Sequence, residues 1–203
     1  MLLIITKSTA PTQVTAVLPA QLLYIAAQFT SADKGVITSI NVKREEDKIT
    51  ITSTDGHRAF KVSFDTNEHY YMDEEELNIN FKSFKKRVAK ARYVTIRDKV
   101  SEFKDINGEL LVMNPIQHVP GQYPDMVNRI WSDTYANNPE APIAFNAKYL
   151  AEFLNEVARF GSIGNVRMQT NAPNQPMQFD ATVEAFGDTF EAFYLLMPVQ
   201  IRK

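Results

Sequence analysis

The chain has 203 residues, a formal net charge of −2 and no cysteine. That length fits one large domain or two small ones, and its apolar content of 44% is enough for a packed core. The missing cysteines exclude disulfides and thiolate metal sites and point to a cytoplasmic protein. The opening MLLIITKSTAPTQ is too short in apolar residues for a signal core, and no later segment approaches a bilayer span.

Three segments in chain order share one pattern: TAVLPAQLLYIAAQF from Thr15, NINFKSFKKRVAKARYVTIR from Asn78, and PIAFNAKYLAEFLNEVARFGSIGNVRMQ from Pro142. Aligning Leu18, Phe81 and Phe145 spaces them 63 and 64 residues apart. A regular period marks units that pack on their neighbours. Each starts with a short apolar strand and continues into an amphipathic helix. In the second unit Phe81, Phe84, Val88 and Ala91 fall on one helical face, and in the third Leu150, Phe153, Leu154 and Val157 do. Asn146 is the expected N-cap of the third helix, which Gly161 and Gly164 should end after Phe160.

After each helix the period switches to two. VITSINVK, KITITST and AFKVSFD follow the first; YVTIRD, SEFKDI and ELLVMN the second; NVRMQT, MQFDATVEAF and TFEAFYLLM the third. β-branched and aromatic residues dominate, with turn residues between the runs. The expected class is α+β, about three βαβββ units with mostly antiparallel sheets and helices on one face. Pro198 predicts an edge strand for Phe193–Ile201, since proline cannot donate to a central ladder. A third unit without a fellow leaves an open sheet edge and an uncovered apolar face, which favours self-association.

Thr54-Asp55-Gly56-His57-Arg58 is the densest polar cluster. A tight turn explains it, with Asp55 bonding the backbone and Gly56 supplying a positive φ. An enzyme using His57 as base and Asp55 as orienter lacks a nucleophile nearby. His57, His69 and His118 have no metal-ligand spacing, and no glycine-rich phosphate loop is present, so no catalytic residue, metal or cofactor is expected. Between Lys82 and Arg92 the chain carries six basic residues and no acid. Such self-repulsion suits an anionic polymer, and the absence of interleaved exposed aromatics favours duplex phosphates over stacked bases.

Three stretches carry a family resemblance. TSTDGHRAF resembles the ATDGHRLA turn of the bacterial sliding clamp, the β subunit of DNA polymerase III. GQYPDMVNRI is similar to its FPDYRRV segment, and FNAKYLAEFLNEV…NVRMQ through FYLLMPVQI resembles its ending. Order and spacing agree over most of Val14 to Arg202. The resemblance implies a non-enzymatic processivity factor for DNA replication that encircles duplex DNA with its helices. It also implies binding of polymerase and clamp-loader peptides, rich in glutamine and hydrophobic residues, in a groove. Carried over residue by residue, the groove is Ile37, Thr54, Gly56, His57, Arg58 and Ala59, with Pro124, Met126 and Asn128, and Leu195, Leu196, Met197, Pro198 and Val199. The DNA contacts are Lys82, Lys85, Lys86, Lys90 and Arg92, then Lys148 and Arg159.

The family has three two-unit domains; this chain matches the second and the last half of the third, a shortened form of the kind a phage or plasmid carries. The expected layout is a two-unit domain over 14–132, a linker over 133–141 and a half-domain over 142–203. Ala59 stands where the family has leucine, and Met126-Val127-Asn128 where it has Tyr-Arg-Arg. A homo-oligomer is expected, four chains if a ring of twelve units is kept. The competing expectation is a non-ring adaptor or decoy that keeps only the groove.

Overall fold

The computed structural model describes residues 13–81, 90–124, 145–160, 166–169, 176–185 and 187–198. The first unit runs β1 (Val14–Pro19), α1 (Ala20–Ala27), β2 (Ile40–Glu45), β3 (Lys48–Thr54) and β4 (Arg58–Asp65). A two-residue strand, β5 (Tyr71–Met72), leads to the second unit: β6 (Glu76–Phe81), β7 (Tyr93–Arg97), β8 (Val100–Lys104) and β9 (Leu110–His118). The third unit holds α2 (Ala147–Phe160), β10 (Val166–Gln169), β11 (Met177–Ala185) and β12 (Asp188–Leu196). The expected second helix and the 133–141 linker lie outside the described residues, apart from the flanking Phe81 and residues 90–92.

The order of the described strands is β10-β11-β12-β4-β3-β2-β6-β9-β8-β7-β1-β5, with every pairing antiparallel. With α1 and α2 it makes the expected α+β architecture. Alternation explains the individual strands. In KITITST, Ile49 and Ile51 enter the core, and across the ladder Phe64 and Val62 meet them.

The first strand of each of the first two units crosses over. β1 pairs with β7 (Leu18 opposite Val94), and β6 pairs with β2 (Ile79 opposite Ile40). The two units are therefore interlocked, each sheet completed by its neighbour. α1 sits inside this exchange with Ala20, Gln21, Leu22, Leu23, Ile25 and Ala26 buried. No side chain caps it; the Ala20 N–H instead donates to the Arg92 carbonyl at 3.0 Å. In α2 the expected cap is present, with Asn146 Oδ1 accepting from the Lys148 N–H at 3.0 Å.

The third unit joins the first through β12 and β4, in register from Glu191 opposite Ser63 to Leu196 opposite Arg58. The last strand is thus internal, flanked by β11 and β4, and not an edge. Pro198 lies two residues beyond its end at Leu196, where it removes no ladder hydrogen bond. The run VITSINVK also divides, into a 3-10 turn over Gly35–Thr38 and a strand from Ile40. β9 continues past the expected ELLVMN to His118.

An aromatic cluster fills the joint. Phe153 of α2 stacks on Tyr194 of β12 at 4.3 Å between centroids, and Tyr194 lies 5.3 Å from Phe29, which stacks on Phe60 of β4 at 5.6 Å. The Tyr194 hydroxyl donates to the Tyr149 carbonyl at 3.1 Å. Replacing Phe153 by alanine should cost about 3–5 kcal/mol, as emptying a large aromatic site does. Urea unfolding followed by tyrosine fluorescence and circular dichroism checks this, and a cost under about 1 kcal/mol would mean that the cluster does not hold the joint.

Candidate functional site

The polar turn between β3 and β4 is built from its own side chains. Asp55 Oδ1 accepts from the His57 and Arg58 N–H groups at 2.9 and 3.1 Å. Thr54 Oγ1 donates to the Arg58 carbonyl at 2.7 Å and accepts from the Gly56 N–H at 3.0 Å. Gly56 has φ +90°, a region that a side chain rarely adopts. These contacts are the tight turn expected from the sequence, and Asp55 is spent on backbone and Arg58, not on the His57 ring.

Arg58 is the hub. Its Nε donates to Asp55 Oδ2 at 2.9 Å, its Nη1 to Glu152 Oε2 on α2, and its Nη2 to the Gln28 carbonyl at 3.1 Å. The guanidinium lies 5.0 Å from the Phe29 ring centroid and 4.7 Å from that of Tyr149. Burial works against its charge, but the bonds to Asp55 and Glu152 outweigh burial and raise its pKa. One side chain thus fastens the turn to α1's end and to the third unit's helix. Nothing in the sequence marked Glu152, 94 residues away, as its partner.

The C-terminal segment meets the same turn. The Met197 N–H donates to the His57 carbonyl at 3.2 Å, extending the ladder past Leu196. Leu196 joins the main core, as do Tyr194 and Phe60. Leu195 and Ala59 are cross-strand partners on the opposite face, yet only 2% and 8% exposed. They form a small apolar floor. Next to this pair along the two strands lie exposed Met197, half-buried Pro198 and exposed His57, whose ring turns to the helix side and stacks with Tyr149 at 6.5 Å.

Two further expected residues approach from elsewhere. Ile37 lies in the 3-10 turn, with its carbonyl accepting from the Ser31 N–H at 2.9 Å. The segment ending at half-buried Pro124 runs beside that turn: a Cβ on Gly121 would lie 3.8 Å from Val36, and the Gly121 carbonyl accepts from Asn78 Nδ2 at 3.0 Å. Tyr123 is buried there; burial raises its phenol pKa, and the nearby Thr54 backbone works the other way. The structure thus brings Thr54, Gly56, His57, Arg58 and Ala59 together with Leu195, Leu196, Met197 and Pro198. Met126, Asn128 and Val199 lie outside the described residues.

Of the basic set, Lys82, Lys85 and Lys86 lie outside the described residues. Lys90, Lys148 and Arg159 are exposed. Arg159 lies over the Tyr24 ring of α1 at 5.3 Å and donates to its hydroxyl at 3.4 Å. Arg92 is engaged more deeply: its Nη2 is 3.4 Å from Asp188 Oδ2, and its guanidinium lies 5.3 Å from the Tyr93 centroid. The same Asp188 oxygen accepts from the Tyr70 hydroxyl at 2.8 Å. Among the described residues no group of histidine, aspartate and glutamate is arranged to hold a metal ion, and no helix is long and apolar enough to cross a membrane.

Neither the protein families nor the curated proteins contain a match to the sequence. Solved structures do match. A crystal structure of the DNA polymerase III β subunit from Thermotoga maritima superposes with a TM-score of 0.61 at 13% identity, over 95% of this chain and 67% of that one. The Helicobacter pylori β clamp bound to a DNA ligase peptide gives 0.64 at 12% identity, over 96% and 68%. The β subunit from Streptococcus pyogenes gives 0.60 at 13% identity, over 96% and 69%. The chain therefore has the fold of the bacterial sliding clamps and spans about two thirds of their length.

Two substitutions separate the roles at the hub. Arg58→Ala should cost roughly 3 kcal/mol, since it leaves the half-buried Asp55 without its ion pair and opens the site between Phe29 and Tyr149. Glu152→Gln should cost under about 1 kcal/mol, because that carboxylate is partly in water. Urea unfolding of both variants checks the order, which reverses if Glu152 carries the tie. Glu156, on the same helix, has a carboxylate oxygen buried without a hydrogen bond, and burial raises its pKa against the pull of Arg159. An acid with a raised folded pKa destabilises the fold when ionised. Glu156→Gln should therefore raise stability at neutral pH, with the gain vanishing below about pH 4. A gain that persists in acid would contradict this.

Proposed function

We propose that this protein is a DNA polymerase processivity factor of the sliding-clamp kind, a non-catalytic platform that contacts duplex DNA and binds replication proteins through short peptides. The observation that carries the reading is the β4–β12 joint. It sets the Thr-Asp-Gly-His-Arg turn beside Met197 and the apolar Leu195–Ala59 pair, within the fold of the sliding clamps. An apolar floor with a few fixed polar groups on its rim suits an extended peptide with glutamine and hydrophobic side chains. Exposed Met197 suits partners of varied sequence, because its side chain repacks easily. In this reading the groove also takes in Ile37, Pro124, Met126, Asn128 and Val199. Polymerase and clamp-loader peptides are its occupants in this reading, and the H. pylori β clamp, which has the same fold, is bound to a DNA ligase peptide.

The DNA-facing set is Lys82, Lys85, Lys86, Lys90, Arg92, Lys148 and Arg159. Six basic residues without an acid between Lys82 and Arg92 support contact with phosphates and no reading of sequence. Residues 14–132 form the paired domain of this clamp and 142–203 its half-domain, working in the cytoplasm.

Fluorescence anisotropy with a labelled glutamine-and-hydrophobic peptide tests the groove. Met197→Glu should weaken binding about tenfold or more, near 1.4 kcal/mol, with the fold intact by circular dichroism. Unchanged affinity would remove the groove from the account. Duplex DNA binding across a salt series tests the rest. Reversing Lys82, Lys85 and Lys86 to glutamate should lower the salt slope by roughly three. An unchanged slope, with peptide binding kept, would favour an adaptor that uses the groove alone.

A further inference from the structure

The third unit has one closed side and one open side, and α2 shows the difference. Its polar flank faces the first unit: Glu152 reaches Arg58, Tyr149 lies against the same guanidinium, and Arg159 covers Tyr24. Phe153 and Val157 point into the core. The flank opposite the first unit is apolar yet exposed, with Leu154 at 40% and Ala151 and Ala158 also exposed. Exposed Met168, at 59%, lies on β10, the strand at that end of the sheet.

The first two units show what belongs there. β2 and β10 hold the same place in their units, directly after the helix. The outer edge of β2 is covered by β6, and β7 is covered in the same way by β1, each strand coming from the fellow unit. Among the described residues β10 pairs only with β11. The helices differ in the same sense. Six of the eight residues of α1 are buried inside the paired units, whereas Phe153 and Val157 are the α2 residues that reach that level among those described. The surface that fits an exposed unit side is the same side of a like unit, and among the described residues no fourth unit of the repeat supplies it.

We propose that the open side of the third unit, the β10 edge with the Leu154 flank of α2, is a two-fold contact with the third unit of a second copy. Two half-domains then complete one another as the first two units do within a chain. The dimer is an arc of six units with a paired domain at each end and a shared one in the middle. An isologous contact of this kind closes on itself and leaves no further open copy of the same surface. It also covers an edge that would otherwise recruit strands indiscriminately. The assembly is independent of whether the groove binds peptide, and the two have separate readouts.

The test is the absolute mass of the full chain by light scattering over a concentration series, with circular dichroism as the check on folding. The wild-type mass should be at least twice that of one chain. Leu154→Glu and Met168→Glu, both at exposed positions, should each halve it, whereas Tyr71→Glu at the far end of the sheet should leave it unchanged. Because the chain has no cysteine, Leu154→Cys and Met168→Cys provide a second readout. A short bis-maleimide should link either variant into covalent dimers, and Tyr71→Cys should stay uncoupled. A wild-type monomer throughout, or a multimer that both glutamate variants leave intact, would overturn the proposal. Covalent dimers from Tyr71→Cys alone would do the same.

Discussion

The antiparallel joint between β4 and β12 is the contact on which the rest depends. It aligns two strands about 130 residues apart in sequence over six residue pairs, from Glu191–Ser63 to Leu196–Arg58. Backbone pairing fixes the register, and the alternation of the strands then decides which side chains go to which face. Tyr194 and Leu196 turn into the core with Phe60, while Leu195 and Ala59 turn to the other face and form the apolar floor. A slip of one residue would exchange these sets and leave no floor beside the polar turn.

Arg58 complements the ladder at the end beside the turn. The strands stop there, and a turn with a free glycine would otherwise be able to move relative to the third unit. The guanidinium instead joins Asp55 of the turn, Glu152 of α2 and the Gln28 carbonyl, with aromatic rings near it. Its planar fork makes these bonds at once, which a lysine ammonium would not reproduce. The turn is thereby rigid where a peptide would meet it, so less order has to be imposed on binding. In the proposed groove, rigidity and recognition would be served by the same residues, within the fold of the sliding clamps.

Much of this architecture was legible in the sequence because local periodicity is strong. The two-residue alternation in KITITST and AFKVSFD, the N-cap Asn146 and the Asp-Gly turn all have the geometry that their residue types demand. What alternation cannot supply is the partner of a strand. The exchange of β1 and β6 between units, and the internal place of β12, depend on contacts far apart in sequence. Pro198 misled for a related reason. Its missing donor matters only inside a ladder, and the ladder ends before it. At the site, the turn itself could be read from Thr54 to Arg58, but the ion pair to Glu152 and the link from Asp188 to Arg92 and Tyr70 could not.

The measurement that tests the central claim most directly is amide hydrogen exchange of the full chain with and without a saturating glutamine-and-hydrophobic peptide. If the β4–β12 joint builds the recognition groove, added protection should concentrate in residues 54–59 and 195–198. Protection confined to other strands, or none at saturation, would contradict the account.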